Sequence, residues 1–413
     1  MGLQVVVVGA GIVGAAISHS AAKIGAKVRV LDVVSHPGTG GATRTTWAWI
    51  NAGKKHPQHY RDLNLAGLRR WKAEWPGLVS ECGSLLLDEE DGPSIDDPAY
   101  PGRRLSPEEV LRLEPHIAPE AAARGAVLYA QEAWVDPQEA CAAMLKSARA
   151  AGADVMLGPG QRVERLLVEE LGGGGAAGGQ GGASPAAAAA AGCRVTGVQT
   201  ADGQTHAADV VVLAAGAAVG PLAAQAGVAV PLLHKPAVVA VTAPVGAQGG
   251  QARRLLSRLL ASSRVFAWQR PDGTFMLGDT RVHEDASAAW GESLLQRAAE
   301  LLPELRAAGA RVESVEAAYR PWPQDGHPII GPAPSCRGLY IATMHSGVTL
   351  APEVGRLVAT ELAHWDTAAG AAAAKAGGGG GAEELAAAQA VLEPYRLDRD
   401  FEEGAKRNAY GWK

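Results

Sequence analysis

Val5-Val6-Val7-Val8-Gly9-Ala10-Gly11-Ile12-Val13-Gly14, near the start of the 413-residue chain, decides the fold. An apolar, β-branched run ends in a GxGxxG pattern. Small and apolar residues follow from Ala15 to Ile24, and a second apolar run, Val28 to Leu31, ends in Asp32. That order predicts strand, tight turn, helix, strand and acid. Gly9 permits the turn, Gly11 permits close approach of backbone to a pyrophosphate, and Gly14 permits close helix–strand packing. The N–H groups of the helix start, around Ile12 and Val13, present a positive dipole end to phosphate. Asp32 stands about 20 residues on, the position that holds a ribose hydroxyl pair and disfavours a 2′-phosphate. An ordinary glycine turn requires neither the second strand nor the acid, so the pattern predicts dinucleotide binding.

The chain is long enough for two domains. Hydrophobic residues make up 47% and charged residues 20%, which fits a globular protein. The formal charge of −5 offers no basic surface for nucleic acid. No apolar run approaches the roughly 20 residues needed to span a bilayer. The first strand begins at once, so no signal or transit segment is expected. Cys82, Cys141, Cys193 and Cys336 show no CxxC spacing. They are expected to be reduced thiols in a cytoplasmic, reducing compartment. His56 and His59 lack further ligands at a plausible spacing, so no metal site is expected.

After Asp32, a loop from Ser35 to Thr46 carries Gly40-Gly41-Ala42-Thr43-Arg44. Its small residues suit contact with a cofactor. Arg44 reads either as a phosphate or ring contact or as a solvated charge. Trp47 to Asn51 buries aromatic surface. Residues 57–146 read as helix-rich, with Ser106-Pro107-Glu108-Glu109 opening one helix and Asp136-Pro137 another. Gly152 to Leu157 predicts a strand returning to the first domain. Tracts of Gly and Ala at 172–192 and 368–382 read as low-complexity insertions unable to offset their ordering entropy. Val210 to Gly216 is a buried strand ending in small residues. Phe266–Trp268 and Thr274–Gly278 flank Pro271-Asp272-Gly273, a hairpin signature. Leu339 to Pro352 predicts a strand, a glycine-containing turn and a helix from about Pro352 to His364. That helix start suits the pyrimidine end of a reduced flavin.

These residues together resemble the flavin-dependent amine and amino-acid oxidoreductases of the D-amino-acid oxidase, glycine oxidase and sarcosine oxidase superfamily. The carriers are the Gly9 to Asp32 fingerprint, Gly40-Gly41-Ala42-Thr43 and Val210 to Gly216. They continue in Arg320-Pro321, Asp325-Gly326, Ile329-Ile330-Gly331, Ser346-Gly347, Leu350-Ala351-Pro352 and the tail Tyr395-Arg396-Leu397-Asp398-Arg399. The resemblance implies an α/β fold: a Rossmann-like FAD-binding domain interleaved with an α+β substrate domain built on a mainly antiparallel sheet. The FAD-binding domain is expected at 1–52, 152–229 and 319–366, the substrate domain at 53–151 and 230–318, and a tail at 383–413.

The resemblance implies FAD contacts at Gly9, Ala10, Gly11, Ile12, Val13, Gly14, Asp32, Gly41, Ala42, Thr43, Arg44, Val163, Ala215, Gly216, Gly347, Val348, Thr349 and Leu350. Ala318 stands where sarcosine oxidase has its tethering cysteine, which implies non-covalent FAD. Arg320 matches the arginine that pairs with a substrate carboxylate, a role suited to a planar, bidentate guanidinium. A structural salt bridge is the other reading of Arg320. Phe266 matches a pocket tyrosine and lacks its hydroxyl. His345 reads as a base or hydrogen-bond donor beside the flavin, or as a packed residue. The lysine that activates oxygen in sarcosine oxidase has no match, which leaves O2 or another electron acceptor open. The implied reaction is hydride transfer from the carbon next to nitrogen of a small amine or amino acid. A 2-hydroxy-acid dehydrogenase and a non-catalytic flavoprotein assembly factor are the competing readings.

Overall fold

The computed structural model describes residues 2–87, 97–171, 192–246, 253–365 and 380–403. The tract 172–192, Gly192 excepted, lies outside them, as does most of 368–382. The end of that second tract differs from expectation, because Gly380–Leu392 is a helix. Alanine has the highest helix propensity, and Leu385, Ala388 and Leu392 recur at helical spacing and are buried.

The chain divides into two compact units, with boundaries at 44/45, 136/137, 233/234 and 320/321. The first unit is built on six strands in the order Ile329–Pro332, Leu339–Thr343, Val210–Leu213, Gln4–Val8, Lys27–Asp32 and Asp154–Leu157. The last five run parallel, and the first is antiparallel to its neighbour. Val6, Val8, Leu31, Val211, Leu213 and Ile341 belong to its core. The central strands Gln4–Val8 and Val210–Leu213 read as nearly unbroken apolar runs because the middle of a parallel sheet is covered on both faces.

The fingerprint helix, Ile12–Lys23, packs beside the long C-terminal helix Gly347–Ala363. A Cβ on Gly355 would come within 2.6 Å of the Ala16 carbonyl oxygen, so glycine there permits the close crossing. The C-terminal helix begins earlier than expected. Pro352 lies inside it rather than at its start, and Gly347 to Leu350 form its opening turn. Proline favours a first-turn position, which pulls a sequence-based start toward it. The helix Pro137–Ala150 also joins this unit, packing on the fingerprint helix through a face that buries Ala140, Cys141, Met144, Leu145 and Ala148.

A smaller sheet pairs Val163–Glu170 with Cys193–Thr200, and Cys193–Thr200 with Thr205–Ala207. The short strand Cys336–Arg337 adds to it in parallel, with Cys193 opposite Cys336. Their Cα atoms are 4.7 Å apart and the two sulfurs form a disulfide. This corrects the expectation of four reduced thiols. The pairing joins residues 143 apart and depends on a strand register that cysteine spacing does not encode. Cys82 and Cys141 are free thiols.

The second unit carries an eight-stranded sheet in the order Val312–Pro323, Leu232–Thr242, Phe275–Gly278, Phe266–Gln269, Leu259–Ala261, Ser84–Leu87, Ala126–Tyr129 and Arg103–Leu105. Most of its pairings are antiparallel, with Leu259–Ala261 parallel to Ser84–Leu87. Leu85, Ala240, Ala267, Phe275 and Leu277 pack in its core with Leu294, Leu295 and Ala298 of the helix Ala288–Leu301. The Phe266–Gln269/Phe275–Gly278 hairpin forms around Pro271-Asp272-Gly273, with Gly273 at φ 87°. Ser106 and Glu109 close a reciprocal capping box on the helix Pro107–Leu113. A three-stranded sheet of Trp49–Ile50, Ala133–Val135 and Val79–Ser80 completes the strands described here.

Candidate functional site

In the first unit, the glycine motif has the shape its spacing predicts. Gly9 sits at φ 110°, a conformation that side-chain-bearing residues rarely adopt. A Cβ there would lie 2.6 Å from the Ala214 carbonyl oxygen. A Cβ on Gly14 would overlap the Gly9 carbonyl oxygen. Gly11 is the N-cap and has no side chain to satisfy the helix start. Thr43 supplies that group: its Oγ1 accepts from the Ile12 N–H at 3.2 Å. Gly41–Arg44 is a helical turn rather than open loop, and Arg44 is exposed.

Asp32 ends its strand with both carboxylate oxygens engaged by backbone. Oδ2 accepts from the Ala10 N–H at 2.6 Å and Oδ1 from the Val34 N–H at 3.2 Å. The acid is thereby fixed against the glycine turn. Ala215 and Gly216 follow the strand Val210–Leu213, with Gly216 at φ 59°. The Gly216 carbonyl accepts from Thr343 Oγ1 at 3.4 Å. The opening turn of the C-terminal helix meets the fingerprint directly, since a Cβ on Gly347 would lie 3.1 Å from Val13 Cγ2. Two helix starts, at Ile12 and Gly347, therefore converge in one unit. Val163 is buried at the head of its strand, away from these turns in sequence. His345 packs against Trp322, ring centroids 4.2 Å apart.

In the second unit, Arg320 lies on the edge strand Val312–Pro323. Its Nε donates to the Lys235 carbonyl at 3.1 Å and its Nη2 to the Pro236 carbonyl at 3.2 Å. Two backbone acceptors thus set the guanidinium plane. Burial lowers the Arg320 pKa, and burial together with the Arg320 charge lowers that of Lys235. Phe266 meets Trp47 edge-on, centroids 5.9 Å apart.

A buried acid in this unit escapes a reading of the sequence. Glu132 is 1% exposed. It accepts from Trp49 Nε1 at 2.6 Å, Ser84 Oγ at 2.5 Å and Tyr100 Oη at 2.5 Å. Burial pushes its pKa up to about 7, against the pull of those donors and of Lys55. Burial pushes Lys55 down to about 8, with Glu132 acting the other way. In Tyr129-Ala130-Gln131-Glu132 the acid looks like a surface turn. Its flanking strands, Ala126–Tyr129 and Ala133–Val135, are both buried throughout and are the available signal.

The FAD dependent oxidoreductase family model matches residues 4–361. The chain belongs to this family. It is 41% identical over 168 residues to the glycine oxidase of Pseudomonas putida, an alignment covering 38% of this chain and 42% of that one. The chain thus spans under half the length of the curated glycine oxidases it first matches. Its fold is like that of glycine oxidase from Geobacillus kaustophilus, with TM-score 0.69, 22% identity and coverage of 96% of this chain and 99% of that chain. It is also like that of L-proline dehydrogenase from P. horikoshii, with TM-score 0.68, 21% identity and coverage of 87% and 92%.

The family cofactor, FAD, fits the residues present. The absence of Cβ atoms at Gly9, Gly11 and Gly14, the helix start at Ile12 and the anchored Asp32 match the needs of a pyrophosphate and a ribose. Among the described residues, no helix is long and apolar enough to cross a membrane.

Proposed function

We propose that this FAD-dependent oxidoreductase oxidises the C–N bond of a small amine or amino acid, using non-covalent FAD. The observation carrying the reading is Arg320, whose guanidinium is oriented by the Lys235 and Pro236 carbonyls beside a second cation, Lys235. A planar fork so oriented suits a substrate carboxylate. The family membership and the names of the similar proteins, a glycine oxidase and an L-proline dehydrogenase, support an amino acid.

When bound, FAD supplies a two-electron acceptor for hydride from the carbon next to nitrogen. Asp32 and the turn Gly9–Gly14 are proposed to hold its ribose and pyrophosphate. Gly41, Ala42, Thr43, Arg44, Val163, Ala215, Gly216 and the turn Gly347–Leu350 are the further proposed contacts. Arg320 fixes the carboxylate and so the orientation of the α-carbon. Phe266 contributes an apolar surface without a hydroxyl. His345 is proposed as a hydrogen-bonding neighbour. Ala318, a buried methyl, offers no nucleophile for a flavin tether.

The test is product analysis. The purified holoprotein is incubated with amino acids and secondary amines and an electron-accepting dye, and nitrogenous and carbonyl products are measured. The reading expects imine hydrolysis, with one amine or ammonia released per carbonyl compound. A carbonyl product formed only from hydroxy acids would replace it with the 2-hydroxy-acid reading. Bound FAD with no turnover of either class would favour an assembly role.

A further inference from the structure

Ala48 and Lys54 are the non-glycine residues with positive φ among the described residues, at 50° and 54°. They bracket one short segment. Such backbone costs free energy and persists where the surroundings over-determine it. Here those surroundings centre on Glu132. Its carboxylate accepts from Trp49 Nε1, and the Tyr100 hydroxyl that donates to it accepts from the Ala52 N–H at 2.9 Å. The Val135 N–H donates to the Ala48 carbonyl at 3.3 Å, and Trp49 pairs with Trp134 across the small sheet. Residues 48–52 are therefore fastened at three points to Glu132 and the strand after it.

The residue just before this fastened segment is Trp47. Its ring meets Phe266 edge-on, and its indole lies over Gly278. A Cβ on Gly278 would come within 2.8 Å of Trp47 Cζ2. Gly278 pairs with Phe266 on one side and Val239 on the other. The carbonyls that seat the Arg320 guanidinium belong to the Val239 strand, next to the strand of Gly278. The carboxylate anchor and the Trp47–Phe266 corner thus share one sheet.

We propose that Glu132 is a positioning residue that holds Trp47 against Phe266 and Gly278, and that this corner receives an apolar substituent of the substrate. The preferred substrate is then an amino acid bearing an aliphatic or cyclic group rather than the smallest one. The inference rests on the proposed substrate role of Arg320 and Phe266, and its test is read by binding, without turnover.

Isothermal titration of the FAD-loaded protein with acetate and with cyclohexanecarboxylate compares a bare carboxylate with one carrying an apolar ring. Neither can be oxidised at a C–N bond. The wild type is expected to bind the ring acid at least about tenfold more tightly, the scale of burying a few methylenes. Trp47→Ala should bring the ratio near one with acetate affinity unchanged. Trp49→Phe, which removes one donor to Glu132, and Glu132→Gln should each lower the ratio several-fold, again sparing acetate. No preference in the wild type, an unchanged ratio in Trp47→Ala, or equal loss for both acids in Trp49→Phe and Glu132→Gln would overturn the proposal. Selective ring-acid binding without oxidation of any amine would instead sink the amine reading and leave the corner standing.

Discussion

Arg399 closes a two-bond fork on Asp325: Nε donates to Oδ2 at 2.7 Å and Nη2 to Oδ1 at 2.9 Å. The Asp325 side chain is 2% exposed, so its charge relies on this partner and on the His327 N–H at 3.0 Å. Three residues earlier in the tail, Arg396 forks onto Glu361 and also donates to the Ile330 carbonyl at 3.2 Å. The tail therefore ties down the Asp325–Gly331 stretch that follows Arg320.

Removing the fork should be costly. Arg399→Ala leaves a buried carboxylate without its cation, a loss on the order of 3 kcal/mol by denaturant unfolding. Asp325→Asn with Arg399→Ala should lose less than the sum of the single changes. Hydrogen bonds from His327 and Arg399, with the Arg399 charge, hold Asp325 well below the ordinary carboxylate range despite burial. The fork's contribution is thus complete above the unfolded pKa of about 3.9 and lost as pH falls below it. A wild-type and Arg399→Ala pair with parallel stability curves from pH 6 to pH 2 would rule this out.

Glu132 and Lys55 should impose the opposite pH behaviour on stability. Glu132 is raised from 4.5 to about 7, so the folded protein keeps a proton that the unfolded chain releases. Stability then falls as pH climbs between those values. Lys55 is lowered from 10.5 to about 8, so stability rises again above pH 8. The expected profile has a trough near pH 7–8. Glu132→Gln should flatten its acid limb and retain its alkaline limb, as measured by urea unfolding at a series of pH values.

Glycine substitutions should separate folding constraints from cofactor constraints. Gly14→Ala drives a methyl group into the Gly9 carbonyl and should yield protein with little FAD and a lowered melting temperature. Gly11→Ala meets only the Thr43 hydroxyl, at 3.0 Å, within the unit. It should keep its melting temperature without FAD but bind FAD more weakly. Equal effects of the two changes on apoprotein stability would show that Gly11 is a packing glycine.

Arg320→Ala should leave FAD content unchanged and reduce kcat/KM for an amino acid by on the order of 10²-fold, about 3 kcal/mol. Arg320→Lys should recover only part, because an ammonium keeps the charge and loses the fork. A purely structural arginine would instead lower the melting temperature without selectivity between carboxylated and uncharged amines.

What could be read from the sequence was local. The GxGxxG turn, the capping box at Ser106 and Glu109, and the Pro271-Asp272-Gly273 hairpin each place their determinants within a few residues. The family resemblance likewise rested on contiguous motifs. What escaped was set by distant chain. The Cys193–Cys336 bond needs a parallel register between segments 143 residues apart. Glu132 needs Trp49, Ser84 and Tyr100 folded around it before it differs from a surface acid. The helix start at Gly347 was obscured by Pro352, which a helix held by packing on both sides accommodates.

The most direct test of the central claim is anaerobic mixing of the purified flavoprotein with paired substrates of one carbon skeleton, an amino acid and its 2-hydroxy acid. The protein is expected to be yellow, its oxidised-flavin absorbance bleaching with the amino acid and persisting with the hydroxy acid, and its FAD released into the supernatant by acid. Flavin that stays oxidised with every amine and amino acid tried, or that bleaches only with hydroxy acids, would contradict it.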